Sequence, residues 1–458
     1  MRNISFKILS IGIDIGKNGN YVAFKINQEE VHKRIKIKND YYGNAKIKKV
    51  IDKLCEKYNL SYAECIIGLE STGPYWKNTK NYFEVLGFEV VLVLHEIVEG
   101  IKRLEKIKGK TDSIDSYAIS TAVEMGKYEK ITEVVLKRES IKILARYTED
   151  LLRDQVRIKN KIWSWVAEFN PTYEKYFKES DSASARMLLR LYPSPLDILG
   201  RDFYLIMEEL REEIRTPSTK GIKLYLEECK EIKKFVIPPT EINRLEIRRY
   251  IERLEEIEKE VEEMKVKLEE LASETFEEWE TLSNIKSISK TQLIFVLAEI
   301  GDIRRFKTPR HLLSYAGFKI YKKAQSGDKE SQSKINKRGN VRIRKNMFLI
   351  VKTLIIHNRE FRHLYCRYKS YNRKYTNTDK SMLIGVACKF LRVIFGVLKN
   401  KSEYDARIVL KGCKLTECDI KRYITEFETE KSIKLNSKEL ADIYNITQEE
   451  VENLIKYN

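Results

Sequence analysis

Histidine is scarce in this chain and cysteine is unpaired: five histidines lie scattered over 458 residues, and the seven cysteines include no Cys-x-x-Cys pair. Cys413 and Cys418 with those distant histidines make no convincing zinc set. An odd, scattered cysteine count without a secretory leader argues against a disulfide framework, so the thiols are expected to be reduced and mostly buried. No apolar run reaches the roughly 18 residues that a membrane span needs, and no cleavable targeting segment is visible. These absences point to a soluble protein of the cytoplasm, without a membrane partner.

With 42% hydrophobic residues the chain can bury a sizeable core, and its length favours two to four domains. Lys and Arg number 86 against 68 Asp and Glu, a net charge of +18, which is a physical argument for a polyanionic partner. The excess is concentrated. Between Gly301 and Lys380 there are 22 basic and five acidic residues, leaving about +17 in that stretch alone. A solvated face or a lysine-rich bias gives the same count. Tyr315, Phe318, Tyr321, Phe361, Tyr365, Tyr368, Tyr371 and Tyr375 tip the balance, because interleaved rings and cations combine stacking with phosphate neutralisation.

From Lys7 to about Met125 short β-rich runs alternate with helical periodicity, the pattern of an α/β domain. Ile8 to Ile15, Tyr21 to Ile26 and Arg34 to Ile37 read as strands, the first two joined through Gly16, Asn18, Gly19 and Asn20. A helix near 44–58, a strand from Cys65 to Leu69, a helix near 75–86 and a strand from Phe88 to Leu94 follow, giving the order of a ribonuclease-H-like fold. Glu139 to Ala272 is almost continuously helical, broken by Pro171, Pro193, Pro195, Pro217 and Pro238-Pro239. Ile247, Tyr250, Leu254, Ile257, Val261, Met264, Leu268 and Leu271 keep a heptad spacing that predicts a coiled coil; an amphipathic helix docked on its own domain would show the same seam. A second helical unit begins after Ser283 and carries the basic block. In the tail, 437–455 has the spacing of a small helix-turn-helix whose acidic second helix favours packing over DNA reading.

Two acids stand where apolar strands end. Asp14 closes Ile11-Gly-Ile-Asp-Ile-Gly16 and Glu70 closes Ile66-Ile-Gly-Leu-Glu70, and a carboxylate in such a run is costly unless paired or bound to a cation. Asp112 and Asp115 share a face at a predicted helix start in Lys110-Thr-Asp-Ser-Ile-Asp115. Each alone could be a turn or cap residue. Together they form the anionic oxygen set that magnesium, or manganese, prefers, and paired ions of this kind serve in-line phosphoryl transfer. In the basic unit, Ser326 of Gln325-Ser-Gly-Asp328 lies ahead of Lys334, Lys337, Arg338, Arg342, Arg344 and Lys345, which could fix a nucleic-acid phosphate beside its hydroxyl. Serine next to glycine is weak evidence by itself. With no histidine near, such a hydroxyl would need a metal ion or a carboxylate from elsewhere for activation.

These motifs carry a family resemblance over nearly the whole chain to about Asn400. Gly12-Ile-Asp-Ile-Gly-Lys17, Gly68-Leu-Glu-Ser-Thr-Gly-Pro-Tyr-Trp76 and Lys110-Thr-Asp-Ser-Ile-Asp115, followed by Leu297-Ala-Glu-Ile-Gly-Asp-Ile-Arg-Arg-Phe306, Leu313-Ser-Tyr-Ala-Gly-Phe318, Gln325-Ser-Gly327 and Ile335-Asn-Lys-Arg-Gly-Asn340, are similar to the ordered motifs of the DEDD-type insertion-sequence transposases. Those are the bridge-RNA-guided serine recombinases of bacterial mobile elements. The resemblance implies a metal-binding tetrad of Asp14, Glu70, Asp112 and Asp115 and a nucleophilic Ser326 that becomes joined to DNA. It also implies a ribonuclease-H-like (RuvC-like) domain, a coiled-coil dimerisation arm and a helical transposase domain, with a tetramer in the synaptic complex. The tetrad of one subunit would act with the serine of another. Donor and target DNA and a structured guide RNA would be the partners, near the nucleoid. Two departures stand out: Asn20 replaces a histidine often found six residues after the first aspartate, and Ile285-Lys-Ser-Ile-Ser289 has serines where relatives carry glycine-rich turns.

The expected organisation is therefore a catalytic domain over 1–135, a helical region over 136–280 with the coiled coil at about 245–272, a transposase domain over 281–400 and a helical tail over 401–458. The expected activity is RNA-guided DNA transposition through a phosphoserine intermediate. Two rival readings make other demands: a structure-selective nuclease would use the tetrad and water alone, and a non-catalytic nucleic-acid-binding protein would need no acids.

Overall fold

The first apolar run forms strand β1 (Leu9–Ile15), and its burial on both faces explains why it reads as almost unbroken apolar sequence. The computed structural model of the protein describes residues 8–17, 19–70, 75–105, 112–177, 183–215, 217–318, 320–321, 334–335, 339–371 and 379–404. The chain divides after Leu136 into two units.

In the first unit β1 is followed by β2 (Asn20–Ile26), β3 (Glu29–Ile37), α1 (Tyr41–Tyr58), β4 (Cys65–Glu70), α2 (Trp76–Val85), β5 (Glu89–Val93), α3 (His95–Leu104), α4 (Asp112–Glu124) and a two-residue β6 (Glu129–Lys130). They build one six-stranded sheet in the order β3-β2-β1-β4-β5-β6. Strands β1, β4 and β5 are parallel, while β2, β3 and β6 join by antiparallel pairings. Strand β3 begins five residues earlier than its sequence pattern predicts, because Asn27 and Gln28 both take left-handed backbone (φ 50° and 68°) and close a tight hairpin without glycine. Helix α1 starts at Asp40, whose carboxylate accepts the Gly43 amide at 2.7 Å, and ends on Asn59 in the left-handed region.

Side-chain alternation sorts the strands into two faces. Leu9, Ile11, Ile13, Ile67 and Leu69 face a core shared with Ile47, Ile51 and Phe83 of α1 and α2. Ile66, Val91 and Val93 face the other side, where Val98 and Ile101 of α3 meet Ala118, Ile119, Ala122 and Val123 of α4. Gly12 and Gly68 lie side by side in register on this second face. A Cβ on Gly12 would come 2.2 Å from the Ser116 carbonyl oxygen and 2.3 Å from the Ser120 amide nitrogen, so the α4 backbone rests directly on β1.

The second unit is helical: α5 (Glu133–Phe169, entering from the first unit), α6 (Tyr173–Tyr176), α7 (Ala183–Leu191), α8 (Pro195–Ile198), α9 (Phe203–Glu213), α10 (Thr219–Ile232), α11 (Glu241–Thr275), α12 (Trp279–Ser283), α13 (Lys290–Ile300) and α14 (Pro309–Tyr315). A short ladder of β7 (Ile320–Tyr321) and β8 (Lys334–Ile335) precedes α15 (Val341–His357), α16 (Arg359–Tyr371) and α17 (Asp379–Asn400). Helices α5 and α11 run antiparallel: Gln155 donates to Glu258 at 3.0 Å and the Trp165 indole to the Asn243 carbonyl at 3.0 Å, while Ala145 packs in one core with Leu268.

The heptad seam is thereby accounted for within one chain. Ile247, Leu254, Ile257 and Val261 are buried in a core with Ile158, Ile162 and Trp165 of α5 and residues of α7, α9 and α10. The docked-helix reading of that periodicity describes this structure, and no second copy is required to cover the seam. A second difference concerns α17: Ser381–Asn400 is long and apolar enough to cross a membrane, contrary to the expectation that no run would be. Phe390, Leu391 and Ile394 of this helix are fully buried in the core of the second unit, which explains its composition. The predicted helix-turn-helix at 437–455 lies outside the described residues.

Candidate active site

Asp14 and Glu70 are brought together by strand register. Ile13 pairs with Leu69 across parallel β1 and β4, so the next residue of each strand, Asp14 and Glu70, stands at the same level and at the carboxyl ends of both strands. By alternation Asp14 shares the face of Gly12, and Glu70 that of Gly68, the face covered by α4. Glu70 is buried at 4% exposure, and its Oε1 lies 2.8 Å from Nδ1 of His95 at the start of α3.

The direction of α4 brings its first turn to the same end. Ser116 and Ser120 lie over Gly12, and Thr121 accepts a hydrogen bond from Lys25 at 2.9 Å, the partner of Ser10 near the beginning of β1. The helix therefore runs opposite to β1. Going from Gly12 to Asp14 advances about 6.6 Å along the strand. Going back from Ser116 to Asp112 covers about 6 Å along the helix, the same direction in space. Asp112 opens α4, with its side chain outside the described residues, and Asp115 follows one turn later on the same helix face. A helix amino terminus also favours the negative charge of both.

Two basic groups of α3 complete this end, and neither was singled out in the sequence. Lys102, buried at 8% exposure, donates to Asp115 Oδ1 at 2.6 Å and bridges to Glu99 Oε1 at 2.5 Å. Burial alone would lower the Lys102 ammonium, but its two carboxylate partners outweigh that and raise it, and Lys102 in turn holds the Glu99 carboxyl below the usual range. His95 was readable in principle, as the second residue after the third parallel strand of a sheet whose carboxyl edge gathers functional groups. Lys102 was not, because on its own helix it is one of several charged residues.

The donor chemistry fits a hard divalent cation: every acid placed at this edge offers carboxylate oxygen. Among the described residues no three acidic, histidine or cysteine side chains already gather as a metal-holding group. Asp14, Glu70, Asp112 and Asp115 are the residues that would hold one.

Ser326, Lys337 and Arg338 lie outside the described residues, as does the side chain of Lys334. The ladder between β7 and β8, Ile320 opposite Ile335 and Tyr321 opposite Lys334, places Ser326 by sequence in the connection 322–333. The entry to α15 is tightly built. Asn340 donates its amide to the Tyr315 carbonyl at 2.8 Å, caps α15 through the Arg342 and Ile343 amides, and donates its side chain to Glu299 at 2.7 Å. At Gly339 (φ 151°) a Cβ would sit 2.6 Å from Gly317 backbone, so only glycine passes there.

Arg342, Arg344 and Lys345, which sequence suggested could fix a phosphate, each have a partner within the second unit. Arg342 pairs with Glu149, Lys345 lies 3.7 Å from the same carboxylate, and Arg344 donates to the Ala316 carbonyl at 2.9 Å. The reason is two buried carboxylates, Glu149 and Glu299, which require compensation. Arg146 grips Glu299 through Nε and Nη2 at 2.7 and 3.1 Å, and Asn346 donates to Glu149 at 2.7 Å. Burial would raise the Glu299 carboxyl, yet Arg146 and Asn340 hold it below the usual range. At the serine-rich turn, Ser287 takes the left-handed backbone that glycine favours (φ 67°), and Ser289 caps α13.

Residues 11–171 match the family model of the DEDD transposases of the IS110 type, described as a transposase. Residues 279–366 match that of the transposase IS116/IS110/IS902 family. No curated protein matches the chain.

Proposed function

We propose a reaction for this chain from the premise that it belongs to the IS110-type DEDD transposases, and is therefore an enzyme of DNA transposition. The first unit is read as ribonuclease-H-like, with Asp14, Glu70, Asp112 and Asp115 as the ligands of magnesium or manganese. Bound there, the metal supplies Lewis-acid polarisation of a phosphate oxygen. The observation that carries the reading is the arrival of two strand ends and one helix start at a single edge of the sheet, each bearing an acid.

Ser326 serves as nucleophile. Its Oγ attacks a DNA phosphorus, a Ser–O–P bond forms as a phosphodiester P–O bond breaks, and the departing deoxyribose oxygen takes up a proton. A hydroxyl of the incoming strand then attacks the phosphoserine, restoring the phosphodiester and the serine. One phosphodiester is exchanged for another, so ligation needs no nucleotide cofactor. The residue resemblance in both units supports a structured guide RNA that pairs with donor and target DNA, so that base pairing selects the sites. The +17 stretch from Gly301 to Lys380 supports attraction of both nucleic acids.

The deciding experiment uses full-length protein with element DNA and the RNA encoded beside it. Wild type should give a denaturant-resistant protein–DNA adduct in magnesium. Ser326→Ala should abolish the adduct, and Asp14→Asn should abolish both cleavage and adduct. If Ser326→Ala cleaves normally while Asp14→Asn does not, the water-using nuclease replaces this reading.

A further inference from the structure

We infer that Lys102 is an exchangeable counterion of the carboxylate edge: it neutralises Asp115 when no divalent cation is bound and moves wholly to Glu99 when one enters. The inference rests on the reading of Asp14, Glu70, Asp112 and Asp115 as a cation site and adds to it a residue whose charge competes with the metal.

Three features of α3 carry it. Lys102 is buried, so its ammonium cannot simply withdraw into water. It already touches both carboxylates, Asp115 at 2.6 Å and Glu99 at 2.5 Å, so leaving one does not strand it without a partner. Glu99 sits one turn earlier on α3 with its side chain 36% exposed, so a charge paired there is better screened by water from an incoming cation. A dication drawn to Asp115 repels a unit positive charge held on the same carboxylate, and the Lys102–Glu99 contact gives that charge somewhere to remain. Without a dication the opposite holds. The Lys102 ammonium then stays on Asp115, as the His95 ring stays against Glu70.

The exchange predicts opposite effects from two neighbouring substitutions. Full-length protein titrated with Mn2+ by calorimetry should show Lys102→Met binding the ion more tightly, on the order of tenfold, because a competing positive charge is gone. Glu99→Gln should bind it more weakly by a similar factor, because Lys102 is left on Asp115. In the absence of divalent ions Lys102→Met should melt below wild type, and saturating Mn2+ should close the gap. Unchanged or weaker Mn2+ binding by Lys102→Met, or unchanged or tighter binding by Glu99→Gln, overturns the inference. If Lys102→Met fails to fold, the Glu99→Gln titration decides alone. Asp115→Asn separates the layers: if it takes up Mn2+ like wild type, the cation-site reading itself fails and this inference with it. If it loses uptake while the other two variants match wild type, only the exchange is refuted.

Discussion

Replacing Gly12 by Ala tests the packing on which the acidic edge depends. The added methyl would stand 2.2 Å from the Ser116 carbonyl oxygen, 2.3 Å from the Ser120 amide nitrogen and 2.9 Å from the Ser120 Cα. Ordinary contact begins near 3.4 Å, so α4 must retreat by about 1.2 Å. All three atoms are backbone, and no rotamer change relieves them. Overpacking of a filled core costs about 1–3 kcal/mol, and a rigid obstacle belongs at the upper end. For a unit of this size about 3 kcal/mol corresponds to a fall of roughly 6–12 °C in melting temperature. Because α4 carries Asp112 and Asp115, the same retreat draws them from Asp14 and Glu70, and a misplacement of about 1 Å can cost on the order of a hundredfold in rate. Thermal unfolding and adduct formation should therefore both fall. Gly68→Ala provides the control: its methyl would meet Val123 Cγ2 at 2.4 Å, a side-chain atom, so adding Val123→Ala should recover part of the loss. A Gly12→Ala protein that melts and reacts like wild type would refute the direct seating of α4 on β1.

Two further outcomes follow from the second unit. Glu299 has its carboxyl held below the ordinary glutamate value of 4.5, so its ion pair contributes stability fully present above that value and lost as pH falls through the depressed one; Glu299→Gln should flatten the acid limb of a stability–pH curve while lowering stability at neutral pH. Leu254→Ala, in the buried heptad seam, should cost about 2–5 kcal/mol in urea unfolding. The loss should not depend on protein concentration, because the seam is filled within the chain; a concentration-dependent midpoint would argue for a seam shared between copies.

Asp14 and Glu70 could be picked out because burial is written into the strands: a carboxylate in an apolar run is costly unless paired or bound to a cation, and each stands at the end of one. What sequence could not supply was tertiary pairing. The heptad seam specifies an apolar stripe but not the partner that covers it, and here α5 and α7 of the same chain do so. Asn27 and Gln28 close a hairpin without the glycine that usually marks one, which hid the first half of β3. Lys102 and Glu149 lie on charged helices, where nothing local distinguishes a buried ion-pair member from a solvated one.

Pairing of this kind also bears on what the basic block does. Charge counted along the sequence survives pairing: Arg342 answers a carboxylate from α5 outside the block, so the stretch keeps its excess while losing a free cation. Long-range attraction of a polyanion depends on net charge, whereas counterion release on binding depends on the number of side chains that reach phosphates. Arg342 and Arg344 serve the first, and each also holds a partner inside the unit, Glu149 and a backbone carbonyl respectively. Their positions fix the start of α15, where Asn340 is tied to both Tyr315 and Glu299. Of the basic residues that follow Ser326, Arg342 and Arg344 thus also serve the packing of their own unit, one on Glu149 and the other on the Ala316 carbonyl.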